Sequence, residues 1–144
     1  MSARGHASPA KATQHRVLIV DDEESMRLLL ARILARGLKL EVTLAGTCEQ
    51  ALRLAGNYAY DAILLDLLMP GIGGFEVLKE IRRNSANPVT PIIIVSVLAE
   101  GSMRDRCMAA GASAYVIKPP ERNALIATVK AQIAGRTRPR AAGA

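Results

Sequence analysis

Five short apolar runs alternate with five helix-length segments along this chain of 144 residues. Four of the runs are nearly unbroken, as strands covered on both faces of a parallel sheet are, and they lie at 16–20, 62–66, 92–96 and 114–118. The fifth run, at 38–45, alternates apolar with polar residues, which is typical of a strand that has one face partly in water. We therefore predict that this strand lies at an edge of the sheet.

The segments between the runs have the apolar spacing of amphipathic helices. In the first segment, apolar residues from Met26 to Leu34 recur at intervals of three and four, and we predict that Gly37 ends this helix in a left-handed conformation. Further helices are predicted over 48–56, 74–84, 101–110 and 121–134, the last two stopping at Gly111 and Gly135. Such an alternation predicts an α/β fold, in which a parallel sheet is wound with helices on both faces.

The net charge of +6 is carried by the two ends of the chain. Residues 17–134 hold 13 basic and 13 acidic residues and are formally neutral. The excess comes from basic residues of the flanks, namely Arg4, Lys11, Arg16, Arg136, Arg138 and Arg140. These flanks bury too little apolar surface to order themselves, so we expect flexible basic segments at 1–14 and 135–144 around one folded domain, 15–134. The charge alone ensures only nonspecific attraction, and we expect no specific nucleic-acid binding.

The sequence predicts a cytoplasmic protein without a membrane segment. No apolar run approaches the roughly 20 residues that a membrane-spanning helix needs. The first 16 residues lack the apolar core of a secretory signal. Cys48 and Cys107 are far apart and do not have metal-ligand spacing, so we expect two reduced thiols that serve in packing.

Polar and charged side chains stand at the ends of four predicted strands. Asp21 and Asp22 follow the first, Asp66 ends the third, Ser96 the fourth and Lys118 the fifth. Because parallel strands place their carboxyl ends at one edge of the sheet, where ligands bind in wound folds, these side chains are expected to converge. Adjacent carboxylates repel unless a cation lies between them, and oxygen ligands without His or Cys suit Mg²⁺. An aspartate can also act as a nucleophile toward phosphorus.

The sequence resembles the response-regulator receiver domains of two-component signalling over roughly residues 15–134. The resemblance is carried by VDDEE at 20–24, LLDLLMPGIGGFE at 64–76, VS at 95–96 and YVIKP at 115–119. Each piece alone is weak, but five matching positions in order are highly specific. The resemblance implies a flavodoxin-like, doubly wound sheet of five parallel strands in the order 2-1-3-4-5, with helices on both faces.

The resemblance also implies a role for each residue at the strand ends. Asp66 is implied to be the phosphoacceptor, and Lys118, which precedes a cis Lys118–Pro119 bond, is implied to pair with Asp66 or its phosphate. The implied Mg²⁺ ligands are Asp21, Asp22, Asp66 and the backbone carbonyl of Leu68. Ser96 and Tyr115 are implied to be switch residues that move toward the phosphate.

The resemblance implies a single-domain response regulator that receives its phosphoryl group from a sensor histidine kinase or a phosphotransfer protein. It is then no enzyme beyond its own phosphorylation and slow dephosphorylation, and it acts on an unknown protein target. Two alternatives remain open. One is a phosphatase of the haloacid dehalogenase class, although the DxD motif and cap domain of that class are missing. The other is a receiver-like binding module that is never phosphorylated.

Overall fold

The computed structural model describes residues 14–137, which form one five-stranded parallel sheet with helices on both faces. Strands β1–β5 span His15–Val20, Leu40–Ala45, Ala62–Leu65, Ile92–Ser96 and Ala114–Ile117. Helices α1–α5 span Glu24–Gly37, Cys48–Asn57, Gly73–Arg83, Gly101–Ala109 and Arg122–Thr137. The strand order is β2-β1-β3-β4-β5. The predicted flavodoxin-like topology and the edge position of β2 are therefore confirmed.

The alternation of side chains along the strands divides the core into two layers. On one face, Leu18 and Val20 of β1 join the apolar layer that α2, α3 and α4 cover. On the other face, Val17 and Ile19 belong to the layer that α1 and α5 cover. The central strands β1, β3 and β4 are apolar at nearly every position because both of their faces are buried.

Gly37 has a different role from the one predicted for it. It is the last residue of α1, and its φ is outside the left-handed region, so the prediction of a left-handed stop was wrong. A Cβ atom at this position would lie 2.6 Å from Cγ2 of Ile126 on α5. The glycine is therefore needed for the close approach of α1 to α5. Gly111, by contrast, follows α4 with a φ of 113°, as a helix-ending glycine does.

The fifth helix does not stop at Gly135 as predicted but continues to Thr137. Arg136 was expected in a flexible tail, yet its Nη1 atom lies 3.0 Å from Oδ1 of Asp61. Oδ2 of the same carboxylate accepts a hydrogen bond from the backbone N–H of Arg16 at 2.8 Å. This contact holds the last turn of α5 against the start of β1. Residues 1–13 and 138–144, most of the two predicted basic segments, lie outside the described residues.

Two other expectations concern membranes and thiols. Across residues 14–137, no helix combines the length and the apolar character that crossing a membrane requires. Cys48 and Cys107 are both buried free thiols, as the sequence predicts. Burial raises the pKa of Cys107, so this thiol stays protonated at neutral pH.

Candidate functional site

The predicted site residues lie at the carboxyl ends of the strands. Asp21 directly follows β1, and its backbone N–H extends the sheet ladder by donating to Ala45 O at 3.1 Å. Asp66 follows β3 in the same way and donates to Val20 O at 3.0 Å. Lys118 follows β5 and donates to Ser96 O at 2.8 Å. Because all three backbones continue the ladder, their side chains emerge at one edge of the sheet.

Asp21, Asp22 and Asp66 form one carboxylate cluster. One oxygen from each of the three lies within 4.8 Å of the others. Asp21 and Asp66 are buried, whereas Asp22 is exposed at the mouth of the cluster. Within the described residues, no other group of three His, Cys, Asp or Glu side chains is placed to hold a metal ion.

Lys118 joins two of the three carboxylates. Its Nζ atom donates to Oδ2 of Asp21 at 2.7 Å and to Oδ2 of Asp66 at 3.3 Å. The side chain is only 8% exposed. Burial alone would lower the pKa of Lys118, but the hydrogen bond to Asp21 and the charges of Asp66 and Asp21 together raise it. The ammonium is therefore charged and fixed between the two buried acids. The Lys118–Pro119 peptide bond is cis, as expected.

Two hydrogen bonds hold the Asp66 carboxylate, but they do not fully compensate for the burial of its negative charge. Its Oδ1 accepts a hydrogen bond from the backbone N–H of Leu68 at 3.2 Å, and its Oδ2 accepts from Lys118. Burial nevertheless raises the pKa of Asp66, and the nearby charge of Asp21 adds to this, while Lys118 opposes it. The ionised form of Asp66 is therefore disfavoured in the folded protein, which is a property of functional acids more than of structural ones.

This pKa shift predicts that the ionised Asp66 carboxylate lowers the free energy of unfolding by a measurable amount. A carboxyl group with a raised folded-state pKa destabilises the protein above that pKa, and the effect disappears below the unfolded value of about 4. In buffer with EDTA, we expect Asp66→Asn to raise the free energy of unfolding at pH 7. This gain in the free energy of unfolding should vanish as the pH falls from the folded-state pKa of Asp66 to its unfolded-state pKa. Urea denaturation of both proteins from pH 7 to pH 4 measures this, and a variant less stable at pH 7 would contradict it.

Ser96 and Tyr115 are connected through the loop after β4. Ser96 is fully buried, and its Oγ accepts a hydrogen bond from the backbone N–H of Leu98 at 3.2 Å. The Tyr115 hydroxyl donates to Leu98 O at 2.7 Å. Burial, and to a lesser extent the neighbouring Cys107 and Glu100, raises the pKa of Tyr115, so the phenol keeps its proton. The two predicted switch residues thus hold the same loop residue from both sides.

Gly74 shapes the site in a way that sequence reasoning did not identify. A Cβ atom there would lie 2.1 Å from Asp66 O and 2.6 Å from Cα of Leu67. Its backbone N–H donates to Leu67 O at 3.0 Å. Only glycine lets α3 begin directly against the backbone that carries Asp66. Gly71 and Gly73, with φ of 92° and 86°, form the turn into α3.

The donor set fits a hard divalent cation. All of its side-chain ligands are carboxylate oxygens, which Mg²⁺ prefers, and Asp22 is exposed, so waters can complete the coordination. Two of the three acids pair with the single Lys118 ammonium, and the third does not, which leaves net negative charge at the cluster. A cation there would also offset the repulsion between the adjacent carboxylates of Asp21 and Asp22.

A buried aspartate with a raised pKa, beside two further carboxylates and a lysine at the carboxyl edge of a flavodoxin-like sheet, is typical of a phosphoacceptor module. Residues 17–130 match the family described as the response regulator receiver domain. The chain therefore belongs to the response regulator receiver domains. This places it outside the haloacid dehalogenase class that the sequence left open.

Known relatives share this domain and are longer. The chain is 34% identical over 119 residues to the phosphate regulon transcriptional regulatory protein PhoB of Rhizobium meliloti, covering 82% of this chain and 52% of that protein. It is 35% identical over 121 residues to the transcriptional regulatory protein ResD of Bacillus subtilis, covering 84% and 49%. The chain thus spans about half the length of these relatives.

Solved structures share the whole fold. A CheY-like receiver domain protein from Methanospirillum hungatei superposes with a TM-score of 0.79 at 27% identity, covering 86% of this chain and 97% of that one. The receiver domain of the sensor histidine kinase PA1611 from Pseudomonas aeruginosa superposes with a TM-score of 0.76 at 30% identity, covering 84% and 98%. That structure has a magnesium ion coordinated in its active-site cleft.

Proposed function

We propose that this chain is a single-domain response regulator that accepts a phosphoryl group on Asp66. The observation that carries the proposal is the cluster itself: three carboxylates with oxygens within 4.8 Å of one another, two of them bonded to Lys118. Intact-mass measurement after incubation with acetyl phosphate and Mg²⁺ tests it. We expect one added phosphoryl group in the wild type and none in Asp66→Asn.

We assign Mg²⁺ to Asp21, Asp22, Asp66 and the backbone carbonyl of Leu68. The assignment is supported by the all-oxygen donor set and by the ion in the PA1611 receiver domain. When bound, the ion offsets the negative charge that a phosphoryl group brings to three carboxylates. Asp22 is the one exposed carboxylate of the three, and we therefore assign the entry side for the ion to it.

Asp66 supplies the nucleophile in this proposal. A carboxylate oxygen attacks the phosphorus of a phosphohistidine, so a P–O bond forms as the P–N bond breaks, and the leaving imidazole nitrogen takes up a proton. Lys118 can follow the new charge because its bond to Asp66, at 3.3 Å, is longer than its bond to Asp21, at 2.7 Å. The ammonium then donates to a phosphoryl oxygen while Asp21 keeps it in place.

Ser96 and Tyr115 transmit the phosphorylation in this proposal. The Ser96 hydroxyl has a proton to donate to a phosphoryl oxygen, and such a movement would change its bond to Leu98. Tyr115 would follow, since its hydroxyl binds the carbonyl of the same residue. The adjacent α4 has a single fully buried side chain, Cys107, so little packing opposes a shift of this helix. The face of α4, β5 and α5 would then change its preference for a protein partner.

We propose a sensor histidine kinase or a phosphotransfer protein as the donor, docking over α1. This helix starts two residues after Asp22, and it exposes Leu28 and Leu29 at 44% and 40%. Arg32 and Arg36 follow on the same face, and no described carboxylate lies within ion-pair distance of either. An apolar centre beside unpaired arginines is complementary to a donor surface that carries acidic residues.

Reversing these charges should slow transfer from a protein donor. We expect Arg32→Glu/Arg36→Glu to lower the rate at low salt by about tenfold or more, since steering by surface charge changes association rates by this order. The measurement is transfer of labelled phosphate from a phosphorylated histidine donor protein at two salt concentrations. Arg53→Glu, an exposed position on α2 and the opposite face of the sheet, is the control. Equal losses in the control, or with acetyl phosphate as the donor, would contradict the assignment.

We further propose that the protein acts in the cytoplasm through protein contacts and does not turn over a small-molecule substrate. The buried free thiols Cys48 and Cys107 suit a reducing compartment. We place the output on the surface of this domain, at the face of α4, β5 and α5, because Tyr115 of β5 lies beside the loop that leads into α4.

A further inference from the structure

Arg27, in the first turns of α1, lies behind the carboxylate cluster without belonging to it. Its Nη1 atom donates to the backbone carbonyl oxygen of Asp21 at 2.7 Å. The side chain is half-buried, and within residues 14–137 no carboxylate lies within ion-pair distance of it. A guanidinium usually pairs with a carboxylate, so its use on a backbone carbonyl next to a metal-type cluster requires an explanation.

Gly46, just after β2, leaves the space that the Arg27 guanidinium occupies. A Cβ atom at Gly46 would lie 2.7 Å from Nη1 and 3.2 Å from Cζ of Arg27. The φ of Gly46 is not in the left-handed region, so its backbone conformation does not require glycine. The backbone of Gly46 is also fixed by a hydrogen bond, because its N–H donates to Oε1 of Gln50 at 2.7 Å. The backbone at Gly46 is therefore fixed, and its lack of a side chain leaves the space that the Arg27 guanidinium occupies.

With Arg27 in place, every polar group of Asp21 has a partner. Its N–H donates to Ala45, its Oδ1 accepts from the N–H of Glu23 at 2.9 Å, and its Oδ2 accepts from Lys118. Arg27 binds the remaining backbone carbonyl, which lies at the turn where the chain leaves β1. This carbonyl also belongs to the peptide unit that leads into Asp22. The contact thus fixes the backbone between the two adjacent acids.

We infer that Arg27 is a positioning residue for the Asp21–Asp22 pair and that Gly46 provides its slot. The inference rests on the proposed function, because it assigns the two acids to Mg²⁺. Contacts outside the ligand shell commonly set metal affinity by orienting the ligands. Mg²⁺ affinity in this chain therefore depends on Arg27, which is not a ligand of the ion, and on Gly46, which leaves the space for Arg27.

A purely electrostatic role for Arg27 predicts the opposite sign. If the guanidinium acted only through its charge, removing it would make the cluster more negative and Mg²⁺ binding tighter. If it acts by holding the Asp21 carbonyl, removing it loosens the turn and weakens binding. Gly46→Ala separates the two effects further, because it keeps the charge and displaces the guanidinium.

The test is calorimetric titration of the full chain with Mg²⁺ alone, using Arg27→Met, Gly46→Ala and the double variant. We expect each single variant to bind Mg²⁺ about tenfold more weakly, the lower end for outer-shell contacts. The double variant should bind Mg²⁺ no more weakly than the single variant with the lower affinity, because Gly46 acts through Arg27. Arg27→Lys should recover part of the affinity. Arg53→Met, at an exposed arginine on α2, should stay within about twofold because solvent screens its charge.

A second readout separates positioning from general damage to the fold. At saturating Mg²⁺, Arg27→Met and Gly46→Ala should be phosphorylated by acetyl phosphate at the wild-type rate, and only the half-saturating Mg²⁺ concentration should rise. Unchanged or tighter Mg²⁺ binding in Arg27→Met, the same loss in Arg53→Met, or additive losses in the double variant would overturn the inference alone. Absence of Mg²⁺ binding by the wild type would overturn the proposed function with it.

Discussion

Asp66→Asn will take up no phosphoryl group under conditions in which the wild type takes up one per chain. Asparagine has nearly the shape of aspartate, and it can still accept from Leu68 N–H through its amide oxygen. It lacks the anionic oxygen that attacks phosphorus, and its amide nitrogen is a donor and not a nucleophile. Intact mass after incubation with acetyl phosphate and Mg²⁺ gives the answer directly. The expected change is from about one added group per chain to none.

Asp105→Asn is the matched control for this experiment. It makes the same chemical change at an exposed position on α4, outside the carboxylate cluster, and should leave phosphoryl uptake at the wild-type level. If Asp66→Asn still gained a phosphoryl group, the acceptor would lie elsewhere, and fragmentation of the labelled chain would show whether Asp21 or Asp22 carries it. If the wild type gained none in the presence of Mg²⁺, the acceptor function itself would be wrong.

The sequence predicts the strands well because burial on both faces leaves an unmistakable pattern. Val17 to Val20, Ala62 to Leu65 and Ile92 to Val95 are apolar without interruption, and each is fully or almost fully buried. The site follows from the strands, since parallel order brings Asp21, Asp66 and Lys118 to one edge. Asp66 taken alone would read as the first residue of a loop. Its role can be inferred only from the charged residues that the other strand ends bring beside it.

The functions of individual glycines and arginines could not be predicted, because they depend on neighbours distant in sequence. Gly37 and Gly135 both look like helix stops, yet Gly37 makes room for Ile126, and α5 continues past Gly135 to an ion pair between Arg136 and Asp61. Gly46 likewise has no local signature, since its role appears only when α1 brings a guanidinium beside β2. Local propensity indicates where a turn is possible, whereas tertiary contacts decide whether one forms.

Among the charged residues of the site, Lys118 should be the one whose loss costs the most stability when no metal is present. Its ammonium is the cation bonded to both Asp21 and Asp66, whose side chains are 1% and 6% exposed. Removing one partner of a buried ion pair leaves the other charge without compensation, which typically costs about 3–5 kcal/mol. The raised pKa of Lys118 sets the alkaline limit of its stabilising contribution, which is fully present at neutral pH and up to about 10, the unfolded lysine value, and is lost as the pH rises through the folded value.

We therefore expect Lys118→Met to lower the free energy of unfolding by about 3 kcal/mol at pH 7 in EDTA. The deficit should shrink in millimolar Mg²⁺, because a cation that binds only the folded state stabilises it and replaces the lost charge. It should also shrink in acid as Asp66, whose pKa is raised by burial, becomes neutral. Lys79→Met is the control, since Lys79 pairs with Glu76 on the surface at 3.1 Å and such pairs contribute at most about 1 kcal/mol. Urea denaturation of the wild type and both variants, with and without Mg²⁺ at pH 7 and again in acid, measures these deficits. A Lys118→Met deficit that Mg²⁺ leaves unchanged would mean that the carboxylates do not bind the ion.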